Sequence, residues 1–213
     1  MNWLFGTLGS SIGKKLLMAI TGLGFCGFLT VHLAGNLTIY GGKASFNSYS
    51  EQLHALEPLV TLTELGLLVF AIFHISIGAI LFYQNLRARP VRYAVNKSAG
   101  GRSLGSRTMP YTGILLLAFV IFHLINFHFV DKTGTTLYEI VSEAFENPVY
   151  VILYVIAVVV AAVHISHGFW SAFQTLGANH PKYMPFIRKI GIAFSLLVGI
   201  GFSTLPVYLF IVV

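Results

Sequence analysis

The chain has 213 residues, 56% hydrophobic and only 9% charged, with a mean hydropathy of +0.79. A soluble domain of this length cannot cover its core with so little polar surface, which leaves an integral membrane protein. The formal charge of +6 would suit nucleic acid or anionic lipid, but the charges segregate by loop, so no nucleic-acid partner is expected. The single cysteine, Cys26, lies inside an apolar run and excludes both an internal disulfide and a thiolate metal motif.

In chain order, five runs of about 20 apolar residues predict membrane-spanning helices at 16–40, 59–86, 111–130, 148–176 and 190–213. The runs are continuous rather than alternating, which favours helices over a barrel, and lipid leaves the backbone few other choices. Lys14 and Lys15 before the first run resemble the start of a signal peptide. That run is too long, however, and carries His32 near its far end, so it is expected to stay in the mature protein. The expected fold is an all-α integral membrane protein, one domain over residues 1–213, with the first four helices forming a bundle.

Orientation follows from the basic residues. Lys14, Lys15, Arg87, Arg89, Arg92, Lys97, Arg102, Arg107, Lys182, Arg188 and Lys189 all fall on one side, eleven of the thirteen, with Lys43 and Lys132 opposite. The seven carboxylates (Glu51, Glu57, Glu64, Asp131, Glu139, Glu143 and Glu146) fall at or near the other side. This predicts a cytoplasmic N-terminus and an outside C-terminus.

Four of the eight histidines, His32, His74, His123 and His164, sit inside four successive apolar runs, 42, 49 and 41 residues apart. Ionisable side chains at such depth are costly and point to function. The helical rise of about 1.5 Å per residue puts His32 and His123 in the outer half of the membrane, and His74 and His164 nearer the cytoplasmic half. Depth therefore sorts them into two pairs, each able to clamp a flat macrocycle from both faces. Bis-histidine haem iron, with no open position, favours electron transfer over oxygen chemistry. A zinc or copper ion would need its ligands at one depth. Gly35, Gly78 and Gly168, three or four residues after a histidine, would allow close approach of a macrocycle or of a neighbouring helix. His167, one turn from His164, and His128, near the outer end of the third span, are placed to contact a haem edge, a propionate or water. His54 and His180 fall in loops.

At these residues the chain resembles the single-polypeptide, dihaem cytochrome b anchor of succinate:quinone oxidoreductases and quinol:fumarate reductases. The resemblance covers essentially the whole chain and includes HLAGN at His32–Asn36, SFNSYSEQLH at Ser45–His54, HISHGFWSAFQTLG at His164–Gly177, and the Thr112–Gly113 pair. It implies two b haems, the cytoplasm-proximal one on His74 and His164 and the distal one on His32 and His123. It further implies a flavoprotein subunit and an iron–sulfur subunit as partners, a quinone (menaquinone the first choice), and the bacterial cytoplasmic membrane. On this reading the chain is the electron-transfer and quinone-reactive subunit of an enzyme whose dicarboxylate chemistry lies in its partners. This chain carries neither a Gly-rich dinucleotide fingerprint nor a cysteine set for a cluster.

By the same analogy the quinone site lies toward the outer surface, with Glu64 as first and His54 as second candidate proton acceptor. Lys15 and Arg107, with Lys14 and Arg188, lie at the cytoplasmic boundary, where they suit propionates, topology or docking of soluble subunits. No Asp or Glu lies in the middle of any span, which leaves a buried carboxylate relay without members. Two other readings stand beside this one: a cytochrome b anchor of another respiratory dehydrogenase, and a haem-free histidine-based transporter or proton channel. The latter would be expected to show broken helices with central polar residues.

Overall fold

The computed structural model describes Gly6, residues 9–88 and residues 104–213. Arg89, Arg92, Lys97 and Arg102, part of the predicted basic loop, lie outside the described residues. The described chain is helical with no strand, and five helices are long and apolar enough to cross a membrane.

Helix α1 is Ser11–Asn36, opened by Ser10, whose hydroxyl accepts from the Gly13 amide at 3.1 Å. This cap satisfies one of the donors that every helix start leaves over. A 3₁₀ turn, Leu37–Gly41, then leads to α2, Gly42–His54. Gly42 sits at the junction with φ +79°, a conformation that favours glycine. The apolar pattern predicts a loop from Gly41 and Gly42 onward. The chain instead turns there into a second, amphipathic helix. Helix α3 is Glu57–Arg87, with Pro58 in its first turn, where proline's missing amide costs nothing.

Helix α4 is Leu104–His123 and is followed directly by one π turn, Leu124–His128. A short helix α5, Leu137–Glu146, precedes α6, Pro148–Thr175, and α7 is Met184–Val212. Relative to the expected spans, α4 starts seven residues early and α7 six, because the helix continues through Arg107 and Pro110 in one case and Arg188 and Lys189 in the other. Lys and Arg are good helix formers, so charge marks the membrane boundary without ending the helix.

Two like-ordered halves result: α1, turn, α2, α3, and then α4, turn, α5, α6. The long helices α1, α3, α4 and α6 carry the four intramembrane histidines. Helix α6 is the hub, packing against α1, α4 and most extensively α7, whereas α3 packs mainly on α1. Much of the apolar surface of α3 and α4 faces outward, as lipid as a solvent allows.

At the acidic end Ile39, Phe46, Phe145, Val151, Tyr154, Leu205 and Leu209 form one buried cluster. Above it, α2 and α5 are tied together. Lys43 Nζ donates to Glu139 at 2.7 Å, and the Tyr138 amide donates to Asn47 Oδ1 at 3.2 Å. Glu139 also closes a capping box with Thr136, so Thr136→Ala is expected to cost about 1 kcal/mol of α5 stability, measurable as earlier amide exchange in that helix.

The Lys43 ammonium, then the Thr136 amide and hydroxyl, hold the Glu139 carboxyl down at about 2. A depressed carboxylate stabilises the fold above its unfolded value, near the ordinary 4.5, and the contribution is lost as pH falls toward 2. The α2–α5 tie is therefore expected to be indifferent to pH from neutrality down to about 4.5, and to loosen only below that.

Candidate functional site: two histidine pairs between four helices

The four intramembrane histidines meet in two pairs. His32 of α1 and His123 of α4 have ring centres 6.0 Å apart, with planes at 87°. His74 of α3 and His164 of α6 have ring centres 6.4 Å apart, with planes at 60°. Among the described residues no three His, Cys, Asp or Glu side chains converge on one point. The histidines converge in twos.

That separation has a chemical meaning. With a metal–nitrogen bond of about 2 Å and the ring centre roughly 1 Å beyond the nitrogen, imidazoles on opposite faces of one iron stand about 6 Å apart, centre to centre. Both pairs match this spacing. The edge-on geometry is also one that packed rings adopt, as Phe25 and Phe70 do at 6.4 Å, so it is the occurrence of two such histidine pairs at two levels that sets this bundle apart.

The two levels are well separated. Thr21 of α1 lies beside His74, and His32 lies eleven residues further along the same helix. Thr112 of α4 lies beside His164, with His123 again eleven residues on. At about 1.5 Å per residue both helices put the pairs roughly 16 Å apart along the bundle.

Each pair has its own surroundings. At the basic end, Thr21 Oγ1 is 3.0 Å from His74 Nδ1 and Thr112 Oγ1 is 3.0 Å from His164 Nδ1. The ring of Phe25 stands edge-on to His74 at 5.7 Å. Near the acidic end the walls are aromatic. Phe28 stacks on His32 at 5.1 Å and Phe202 tilts against it at 5.5 Å. Phe119, Phe127 and Tyr154 surround His123 at 5.4 to 6.0 Å. Tyr154 Oη and Asn36 Nδ2 reach the Nδ1 atoms of His123 and His32 only at 3.5 Å each. None of these phenyl, phenol or hydroxyl partners except Thr112 was singled out from sequence.

Gly35, Gly78 and Gly168 make room for side chains of neighbouring helices, one of the two readings their spacing allows. A Cβ at Gly35 would run into the Tyr49 ring of α2, while those at Gly78 and Gly168 would meet the methyls of Met18 and Met109. Beside the paired imidazoles stand Gly22 and Gly113, where an added Cβ would sit 3.3 Å from His74 Cε1 and 3.7 Å from His164 Cε1, and Gly105 lies against His167.

The remaining candidates separate by location. Glu64 of α3 faces His128, the last residue of the π turn, at 3.7 Å, and both side chains are about half exposed. A π turn adds one residue to a helical stretch and re-aims the side chains beyond it, and such turns recur at functional sites. Here it falls between His123 and His128. His54 turns back on its own helix, its Nδ1 donating to the Ser50 carbonyl at 2.7 Å.

At the basic end, His167 packs edge-on to Trp170 at 4.8 Å, and the Arg188 guanidinium lies 4.4 Å over the Trp170 ring. Lys15 and Arg107 are exposed at that same end. His180 sits in the turn before α7, accepting from the Lys182 amide at 3.2 Å.

No protein-family model, curated protein or solved structure matches the chain.

Proposed function

We propose that the chain is a dihaem cytochrome b: the membrane anchor that carries electrons between a membrane quinone and the flavoprotein and iron–sulfur subunits of a succinate dehydrogenase or fumarate reductase. The observation that carries this reading is the pair of 6.0 and 6.4 Å imidazole separations at two levels of one four-helix bundle. His74 and His164 would hold one haem b and His32 and His123 the other. Bound there, a haem would supply one-electron transfer.

The chain's own residues account for the rest. Thr21 and Thr112 orient the imidazoles at the basic end, and the aromatic side chains around His32 and His123 keep that level dry. Glu64 and His128 give two adjacent proton acceptors at the acidic end, suited to a quinol that releases two protons per oxidation. Arg188, Arg107, Lys15 and His167 supply positive charge and donors at the other end, for propionates or for an acidic soluble partner. In this reading the basic end is cytoplasmic, following the excess of Lys and Arg there, and the membrane is the bacterial cytoplasmic membrane.

The test is a reduced-minus-oxidised optical spectrum of the purified protein with pyridine haemochrome quantification. Two low-spin b haems per chain are expected. A folded protein, expressed with ample haem and carrying none, would overturn the reading.

A further inference from the structure

We infer that Thr21 and Thr112 are positioning residues that hold His74 and His164 in the tautomer whose Nε2 is free to bind a metal. The inference rests on the dihaem reading above and extends it to two side chains that touch no iron.

The argument is an accounting of protons. A threonine hydroxyl has one hydrogen to give and two lone pairs to offer. Thr21 gives its hydrogen back along its own helix, to the Leu17 carbonyl at 2.8 Å, with Met18 O at 3.2 Å. With its hydrogen placed there, it offers His74 Nδ1, 3.0 Å away, a lone pair. In that arrangement Nδ1 brings the hydrogen and Nε2 is left bare. Thr112 repeats the arrangement. Its hydrogen is shared between the Thr108 and Met109 carbonyls, both at 3.1 Å, and it faces His164 Nδ1 at 3.0 Å.

Return of a threonine hydroxyl to a carbonyl one turn back is ordinary in membrane helices. What is not ordinary is that both hydroxyls then meet an imidazole of another helix at the same distance, and that both are almost wholly buried, at 3% and 7% exposure. Each threonine is followed by the glycine that makes room for that same imidazole, Gly22 for His74 and Gly113 for His164. Each Thr–Gly pair also stands eleven residues before the histidine of the other level, His32 or His123. The device occurs twice, at matching places in α1 and α4.

Among the described residues, no hydroxyl at the acidic end meets a histidine Nδ1 as closely. The Asn36 amide gives one hydrogen to the His32 carbonyl at 2.8 Å and reaches Nδ1 only at 3.5 Å, as does Tyr154 to His123. The two levels therefore differ in how firmly their ligands are preset. An Nδ1–H···O bond raises the basicity of a metal-bound imidazole, so Thr21 and Thr112 should favour the oxidised iron and lower the potential of the basic-end haem specifically.

The experiment uses the full-length, haem-loaded protein with Thr21→Val and Thr112→Val, which keep the shape and remove the hydroxyl, and Thr21→Ser and Thr112→Ser, which keep it. The readouts are haem per chain, the two midpoint potentials and the low-spin EPR signals. Expected are an upward shift of one potential and a change in one EPR signal in the valine variants, with the other haem unmoved and both effects reversed by serine. Valine variants whose haems keep wild-type potentials and EPR signals would overturn the assignment, as would a change in both haems alike that serine does not repair. A wild-type protein without haem would instead bring down the dihaem reading itself, and this assignment with it.

Discussion

His74→Ala and His164→Ala are expected to remove the same haem, and His32→Ala and His123→Ala the other. In each case pyridine haemochrome should fall from two haems per chain to one, and the surviving spectral component should be identical within a pair and different between pairs. The grouping follows from the ring separations of 6.4 and 6.0 Å, which assign partners across helices rather than along them. Quinone-linked electron transfer should drop by at least about 100-fold. Loss of a partner that merely orients a metal ligand costs 10–100-fold, and loss of the ligand itself costs more. Alanine at His54, His128 or His180 should leave both haems in place. Any variant that breaks the grouping, for example a His32 change that removes the component lost with His74, would sink the assignment.

Glu64→Gln is expected to preserve both haems and their chemical reduction by dithionite while slowing quinol oxidation by about 10²–10⁴, the range for losing a positioned acid–base group. Glutamine keeps the shape of the side chain but cannot take a proton. His128→Gln should give a smaller loss of the same kind, because it removes one of two acceptors 3.7 Å apart and leaves the carboxylate. Quinol turnover of the glutamine variant within about twofold of wild type would remove Glu64 from the quinone site. Loss of a haem in that variant would mean that the carboxylate acts on the bundle rather than on quinol.

The five spans were legible because lipid demands long uninterrupted apolar runs, and the pairing of histidines was legible because helical rise converts position into depth. The ends of the helices were not, since α4 and α7 run on through arginine and lysine. Nor were the short helices α2 and α5. The serines and asparagine of α2 are indifferent helix formers. For α5 a signal was present: Thr136 followed three residues later by Glu139 is the pattern of a capping box, and the structure forms it.

Within the site, the four paired histidines could be found from burial cost and position. Thr21, Gly22 and Tyr154 could not. A threonine or glycine in an apolar helix is most often there for its own backbone or for packing, and only tertiary contact turns Thr21 toward an imidazole of α3. Which side chain each glycine makes room for was hidden for the same reason. Spacing from a histidine along one helix says nothing about what a neighbouring helix brings to that spot, and at Gly35 it brings Tyr49.

The order of elements, a long helix, a five-residue turn, a short helix and a long helix, occurs twice in succession with both long helices running the same way each time. His32 and His123 occupy equivalent places in the two halves, as do His74 and His164, Thr21 and Thr112, and Gly22 and Gly113. Every histidine pair is thus formed by residues at corresponding places in the two halves. Neither half completes a site, yet two identical halves facing one another would complete both. The surroundings of the two pairs nevertheless differ: Asn36 and Tyr154 stand at 3.5 Å from one pair, while like-placed threonines meet the other at 3.0 Å.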